Sequence, residues 1–348
     1  MDFKIINIDT INSDKRNLQK RINKQFGSLA KLQSDFENDE QILKMIFKAR
    51  LSKIADRCPG KQGKICNHTI SSFRKIPNAM AYRCKCGFKV YPLKGTPLEQ
   101  TRIGLMNIIN ITYLMFCSKH GLCATEVQRI TGWKYETAHK TMMKISDAFG
   151  LLSECRSFDE YSDIEIDEVY VKIRTGNGRG RKAVSNNKAP VLVLRERGTF
   201  GIVKSFQISA ATTAIIKEII LKYTKTTNTI YTDESPIYNF LKDCGYNHFT
   251  IKHKDKKYVD AEDNMIHTNT VESFNRLVKT STHRVHNGVT KDYLQSYINR
   301  LAFNTSYREY SAFDAISKLI ELFPPLFSNG TKRIKSKPYI LPEWTNAA

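Results

Sequence analysis

Asp167, Asp233 and Glu272 are acidic residues placed where they could converge on divalent metal. Asp167 lies in Ile164-Glu165-Ile166-Asp167-Glu168, Asp233 in Tyr231-Thr232-Asp233-Glu234, and Glu272 in His267-Thr268-Asn269-Thr270-Val271-Glu272. The first two segments sit in, or end, strand-like apolar runs; the third opens a helix-like run that reaches Lys279. Two-metal phosphoryl transfer needs a few acidic ligands from different elements, with ions roughly 4 Å apart activating the nucleophile and stabilising the leaving oxygen. Mg²⁺ keeps several waters, so three carboxylates are enough. Asp167 stands among apolar strand positions, where a carboxylate is costly without a partner. Each residue also has a plainer reading. Asn269-x-x-Glu272 fits a capping box, and Asp233 fits a turn ahead of Pro236. Glu165, Glu168 and Glu234 are neighbours that could serve instead; strand alternation puts Glu165 and Asp167 on one face and Glu168 on the other. Lys279 follows Glu272 by seven residues, two helical turns, and shares its face. It can hold a phosphate near the metals or be a solvated lysine. His248, His253 and His267 can approach the same place, although a lone histidine is more often structural.

The rest of the chain is basic. Its 348 residues carry a net charge of +21, which points to a polyanion, with nucleic acid ahead of a membrane surface. Residues 58–150 hold 14 Lys/Arg against 4 Asp/Glu and are the first candidate for a DNA contact surface. Hydrophobic content of 41% excludes wholesale disorder. The start of the chain lacks a signal-peptide pattern, and Ile103–Cys117 is too short and too polar to span a bilayer. A protein that is neither secreted nor membrane-bound is expected. Its eight cysteines then argue against a disulfide framework. Cys58, Cys66, Cys84 and Cys86 cluster within 29 residues. Cys117, Cys123, Cys155 and Cys244 are scattered and are expected to be packed thiols.

The elements that must position these groups follow from periodicity. Gln41–Ile54 carries a helical apolar stripe, which either pairs with another subunit or leads into the next domain. Residues 58–92 are strand-poor. Helices are expected over 98–118, Ala124–Ile130 and Tyr135–Phe149, with Thr131-Gly132-Trp133 as the break. From about 160 the pattern changes to strands at Asp163–Ile173, Pro190–Leu194 and Gly201–Ile208. A helix at Ala210–Tyr223, a strand at Thr229–Thr232, a proline-started helix at Pro236–Asp243 and a strand at Phe249–Ile251 come next. Helices at 270–280, 290–304 and 311–323 close the order. This is a mixed α/β order, that of the ribonuclease H fold. Residues 174–188 read as a cationic loop.

The motifs I-E-I-D-E-V-Y-V at 164–171, Y-T-D-E at 231–234, G-Y-x-H at 245–248 and H-T-N-T-V-E-S-F-N-R-L-V-K at 267–279 carry a resemblance. The chain resembles transposases of the Merlin group and the allied bacterial insertion sequences, over about residues 58–305. The resemblance implies a ribonuclease H-like DDE domain performing cut-and-paste DNA transposition with two Mg²⁺ or Mn²⁺ ions. Asp167 and Asp233 match the two aspartates and Glu272 the third acidic position. Some relatives use or favour the Asn matching Asn269, so Glu272 and Asn269 both stand as third ligand. Relatives often carry Trp where this chain has Asn275, a departure expected not to touch the chemistry.

Relatives also carry a zinc ribbon and a helix-turn-helix ahead of the catalytic domain. Cys58, Cys66, Cys84 and Cys86 could then supply four thiolates for a structural Zn²⁺, with His68 as an alternative to Cys66. Four buried or free thiols are the plainer reading. Residues 122–149 fit the helix-turn-helix, which would expose Lys134, Tyr135, Glu136, His139 and Lys140 near the start of its second helix. Lys140 and Lys144 could instead meet phosphates. The loop with Arg179, Arg181 and Lys182 would lie along target or flanking DNA. The expected organisation is a helical segment at 1–57, a zinc ribbon-like module at 58–97, a helix-turn-helix domain at 98–155, a catalytic domain at 160–325 and a basic tail at 326–348. Expected partners are double-stranded DNA, as transposon ends and target, and further copies of the chain in a homodimer or larger assembly. The expected location is the nucleus in a eukaryote or the nucleoid-bearing cytoplasm in a bacterium. Two rivals are a domesticated, non-catalytic DNA-binding protein and a stand-alone nuclease.

Overall fold

A computed structural model describes residue 33 and residues 38–51, 57, 58, 60, 61, 66–96, 98, 99, 101–174, 188–198, 201–251, 267–310 and 312–321. The expectations for His253, for Arg179, Arg181 and Lys182, and for the basic tail lie outside the described residues.

The first helix, α1 (Asp39–Leu51), packs within the chain. Ile42, Leu43 and Ile46 are each 1% exposed, and Phe47 stacks on Tyr82 at 4.1 Å. Tyr82 belongs to a small antiparallel sheet of two-residue strands, β1 (Arg74–Lys75), β2 (Tyr82–Arg83) and β3 (Lys89–Val90), in that spatial order. Arg50 is buried and donates to the carbonyls of Pro92 and Lys94. The helix expected from residue 98 starts later, as α2 (Leu105–Cys117). Its start is set by Asp39, whose Oδ1 accepts the Met106 N–H at 2.8 Å and so satisfies one of the free donors of the first turn. Then come α3 (Ala124–Thr131) and α4 (Tyr135–Cys155), joined through Gly132 at φ +72°. That left-handed conformation suits a residue without Cβ. α4 outruns the expected end at Phe149 because Leu152, 1% exposed, is still core.

A mixed sheet of five long strands follows: β4 (Asp163–Arg174), β5 (Lys188–Glu196), β6 (Val203–Gln207), β7 (Thr229–Asp233) and β8 (Asn247–Ile251). Their spatial order is β6-β5-β4-β7-β8. β4, β5 and β6 are antiparallel neighbours, whereas β4–β7 and β7–β8 run parallel. A two-residue strand, β9 (Val289–Thr290), adds to the far end of β4. Between β6 and β7 lies α5 (Thr213–Tyr223). The expected helix at 236–243 is a 3₁₀ turn, Pro236–Tyr238, followed by the short α6 (Phe240–Asp243). The chain then adds α7 (Asn269–Thr280), a π-helical turn (Ser281–Val285), α8 (Lys291–Ser306) and α9 (Ala312–Glu321). The mixed α/β arrangement is consistent with a ribonuclease H-like domain.

Alternation along the strands builds a core on each face of the sheet. Ile164, Ile166, Leu192 and Leu194 pack against Ile216, Ile219 and Ile220 of α5. Val169, Val171, Val191 and Val193 face the other way, into a cluster that includes Val271, Phe274 and Val278 of α7 and reaches α8, α4 and α1. That cluster is continuous from the cysteine-bearing module to the sheet. α4 and α8 lie close: a Cβ on Gly150 would overlap the side chain of Asn299. α8 also covers the open edge of β6. Gln295 accepts the Gln207 N–H at 2.7 Å and donates to the Ser205 carbonyl at 3.0 Å, and Ser306 accepts the Val203 N–H at 2.8 Å. An edge so occupied is closed to strand addition. Among the described residues no helix is long and apolar enough to cross a membrane.

The orientation of α7 depends on one carboxylate. Glu165 on β4 is 0% exposed. Its Oε2 accepts the Val271 N–H in the first turn of α7 at 2.7 Å, and its Oε1 accepts from Arg197 Nε at 2.9 Å. His267 Nδ1 lies 3.0 Å from the same Oε1. Removing one partner of a buried ion pair strands the other and costs about 3–5 kcal/mol. Glu165→Ala is therefore expected to lower stability by that order in chemical denaturation, and Glu165→Gln by less; a loss under 1 kcal/mol for Glu165→Ala would refute the clamp.

Candidate active site and cysteine cluster

β4 and β7 run parallel with Glu165 opposite Tyr231. Two residues further along each strand stand Asp167 and Asp233, so the two carboxylates arrive at the same level on neighbouring strands. At β4 the order reverses, with β5 on one side and β7 on the other. The crevice beyond the strand ends at such a switch point is where open α/β sheets place their sites. α7 crosses this region, its N-terminal turn held by Glu165, and brings Glu272 to it.

Asp167 is held at both oxygens. Oδ1 accepts the Glu168 N–H at 2.8 Å and Oδ2 accepts from Asn275 Nδ2 at 2.7 Å. Burial pushes its carboxyl up to about 7; the carboxylates of Glu168, Asp233 and Glu272 add to the rise, and the Glu168 N–H opposes it. Asp233 does make the turn bond that its sequence suggests, from Ser235 N–H to Oδ1 at 3.1 Å, and this leaves its other oxygen available. Glu272 is half-buried and takes a long hydrogen bond of 3.3 Å from Thr268 Oγ1. The capping box is not formed by Asn269 and Glu272. Thr268 is the N-cap, and Asn269 is the exposed first residue of the helix. Glu168, on the opposite face as alternation requires, accepts the Tyr238 hydroxyl at 2.5 Å. Its carboxyl is raised by burial and by Asp233, with the Tyr238 bond opposing.

Lys279 is exposed; it and Lys172 add to the burial that lowers the His283 pKa. His248 faces elsewhere, its Nε2 2.9 Å from Thr232 Oγ1. His267 belongs to the Glu165 clamp. A hard divalent cation fits this donor set, since several carboxylates stand near enough to raise the proton affinity of Asp167. Their oxygens are not gathered as tightly as the cysteine sulfurs. Among the described residues the four cysteines alone form a group whose potential ligand atoms all lie within 4.8 Å of one another.

That cluster has the dimensions of a tetrahedral site. With metal–sulfur bonds of about 2.3 Å, tetrahedral sulfurs are about 3.8 Å apart. Cys58 and Cys86 Sγ are 3.7 Å apart, and Cys66 and Cys84 Sγ 3.8 Å. The turn that presents two of them closes with Gly87 N–H on the Cys84 carbonyl at 2.9 Å and needs Gly87 at φ +89°. His68 is not in the group; its Nδ1 stands 2.9 Å from Cys66 Sγ, where it can orient a ligand rather than replace one. Three of the scattered cysteines are less packed than expected, and the expectation for the Cys155 side chain lies outside what is described. Cys117 is exposed, while Cys123 and Cys244 are half-buried.

At the start of α4, Lys134, Tyr135, Glu136 and Lys140 are exposed. His139 is half-buried, stacked near Tyr135 and edge-on to Tyr293 at 4.8 Å. Lys144 donates to the Glu99 carbonyl at 3.3 Å.

Two features were missed in the sequence. Asn275, expected not to touch the chemistry, donates to Asp167 directly. Its position three residues after Glu272, on the same helical face, was the available signal. The pair Arg195 and Arg197 reaches over to the first turn of α7 and to the segment before it, at the carbonyls of Thr270 and His267. Two arginines spaced by two residues at the end of a strand, beside an acidic strand, were the trace of it.

Comparison with known proteins adds to this geometry. Residues 162–305 match the family model of the ISXO2-like transposase domain. An uncharacterized protein in the transposable element ISH50 of Halobacterium salinarum is 30% identical over 174 residues, covering 45% of this chain and 57% of that protein. The chain thus spans little more than half the length of the curated relative it matches. Likeness to a chain in the crystal structure of a pre-cleavage Mos1 transpososome has a TM-score of 0.26 and 6% identity, over 58% of this chain and 72% of that one. The resemblance to insertion-sequence transposases read from the motifs is borne out over residues 162–305.

The raised Asp167 pKa has a measurable consequence in metal-free protein. Its carboxyl ionises at about 7 when folded, against an ordinary 3.8. Stability is therefore lost as pH rises through this interval, and Asp167→Asn escapes the loss. The stability difference in favour of the variant is expected to grow by about 1–3 kcal/mol between pH 5 and pH 8, read by denaturation in chelator. An equal gap at both pH values would refute the assignment.

Proposed function

We propose that this protein is a DNA transposase that cleaves at the ends of its element and joins the freed 3′-hydroxyls to target DNA. The observation that carries the reading is the level pairing of Asp167 and Asp233 on adjacent parallel strands, with Glu272 on a clamped helix beside them. The match of residues 162–305 to a transposase domain and the net charge of +21 support it. Mg²⁺ or Mn²⁺ ions bound there would activate the attacking water or 3′-hydroxyl and stabilise the leaving oxygen. Asp167 serves as a ligand held at both oxygens. Asp233 is oriented by the Ser235 N–H and keeps one oxygen open. Glu272, within electrostatic reach of Asp167, is the third ligand in preference to the exposed Asn269. Lys279 on the same helix contacts a DNA phosphate.

In this reading Cys58, Cys66, Cys84 and Cys86 hold a structural Zn²⁺, with His68 donating to Cys66. The α3–α4 pair acts as a helix-turn-helix that presents Lys134, Tyr135 and Lys140 to transposon ends. Lys144 and His139 mainly fasten that pair to its neighbours. Joining two ends to one target asks for at least two active sites, hence a dimer or larger assembly on DNA. The modules at 58–97, 98–155 and 160–325 act in succession along one continuous core.

The test is a strand-transfer assay on DNA from the flanks of the gene. Wild type is expected to give Mg²⁺- or Mn²⁺-dependent joined products, and Asp233→Ala none. Cutting without joining would identify a nuclease. Flank binding without cutting, by folded metal-loaded protein, would identify a non-catalytic DNA-binding protein. Separately, purified protein is expected to carry about one zinc per chain; Cys86→Ser should lose it together with several degrees of melting temperature, and zinc content unchanged in that variant would rule the cluster out.

A further inference from the structure

We infer that Asn275 is a positioning residue for the cation site, fixing the Asp167 carboxylate and offering its spare carbonyl oxygen to the water shell of the bound cation. The inference rests on the reading of Asp167 as a metal ligand.

Asn275 is 6% exposed and spans 108 residues of sequence to reach Asp167 Oδ2 at 2.7 Å. The ionised Asp167 that would hold a cation accepts only, so toward it the amide turns its NH₂, and Oδ1 is the spare atom. That Oδ1 is buried with no hydrogen-bond partner. A buried acceptor left unpaired costs about 1–3 kcal/mol. Packing alone does not explain such a cost, because an apolar side chain would avoid it. Mg²⁺ and Mn²⁺ sites built from a few carboxylates keep bound waters, and a cation-bound water donates strongly. Such a water would satisfy Oδ1.

The rest of the geometry agrees. Asp167 Oδ1 is already held by the Glu168 N–H, so the Asn275 amide removes the remaining freedom of the carboxylate. Asn275 lies one helical turn after Glu272, so one face of α7 carries both a ligand and the group that orients a second ligand. Two residues back on β4, Glu165 grips the start of the same helix. β4 and α7 are therefore joined twice, once for docking and once for aiming.

The experiment titrates Mn²⁺ into zinc-loaded, full-length protein without DNA and follows free Mn²⁺ by electron paramagnetic resonance. Groups that orient metal ligands typically contribute 10–100-fold to affinity. Asn275→Leu, close to isosteric but without polar atoms, is expected to stay folded without metal and to weaken Mn²⁺ binding by at least about tenfold. If Asn275→Leu does not fold, Asn275→Ala answers the same question. A purely structural amide would instead lower the metal-free melting temperature and leave Mn²⁺ affinity within twofold, which would overturn the inference. Asp167→Ala separates the two levels. Loss of binding there with normal binding in Asn275→Leu overturns only the role of Asn275. Unchanged binding in Asp167→Ala, or none in wild type, overturns the metal-site reading and this inference with it.

Discussion

The buried carboxylate of Glu165 is the constraint on which the arrangement of the site depends. A fully buried charge is tolerated only when paired and hydrogen-bonded. Glu165 meets this with Arg197, the backbone N–H of Val271 and the neighbouring His267. The helix supplies the positive end of its dipole to the same carboxylate. Arg197 then rests its guanidinium over Tyr231 on β7 and donates to the His267 carbonyl. One carboxylate thus ties the central strand, its antiparallel neighbour, its parallel neighbour and α7. Any large tilt of α7 would break several of these contacts together.

From that clamp the candidate site follows by simple geometry. Asp167 is two residues from Glu165 and on the same face. Asp233 is two residues from Tyr231, whose ring lies under Arg197. Asn275 is one helical turn beyond Val271. The stabilising charges lie one step from the candidate ligands, and the two environments differ physically. Glu165 is surrounded by donors and neutralised, whereas Asp167 is surrounded by other carboxylates and kept poorly solvated. The first is neutralised by its partners, and the second is not.

The amino-terminal part is not a loose appendage to this sheet. The apolar stripe of α1 packs on the cysteine-bearing module, and α4 lies against α8 at Gly150, where only hydrogen fits. α8 in turn closes the edge of β6. The α3–α4 pair and the helix that borders the sheet share one hydrophobic cluster.

Much of this was legible in the sequence because local periodicity reports burial. Alternation marked β4 and gave the correct faces for Glu165, Asp167 and Glu168. The order of strands and helices, the cysteine spacing and the acidic motifs were equally local. The start of α2 was not, because its cap comes from afar: Asp39 accepts the Met106 N–H across 67 residues of sequence. Nor could sequence assign roles among chemically identical groups. Only the tertiary structure made Glu165 a clamp and left Asp167 among like charges, set Asn275 on Asp167, and brought four cysteines to tetrahedral spacing. Such roles depend on which groups surround a side chain, and those neighbours lie tens to more than a hundred residues away.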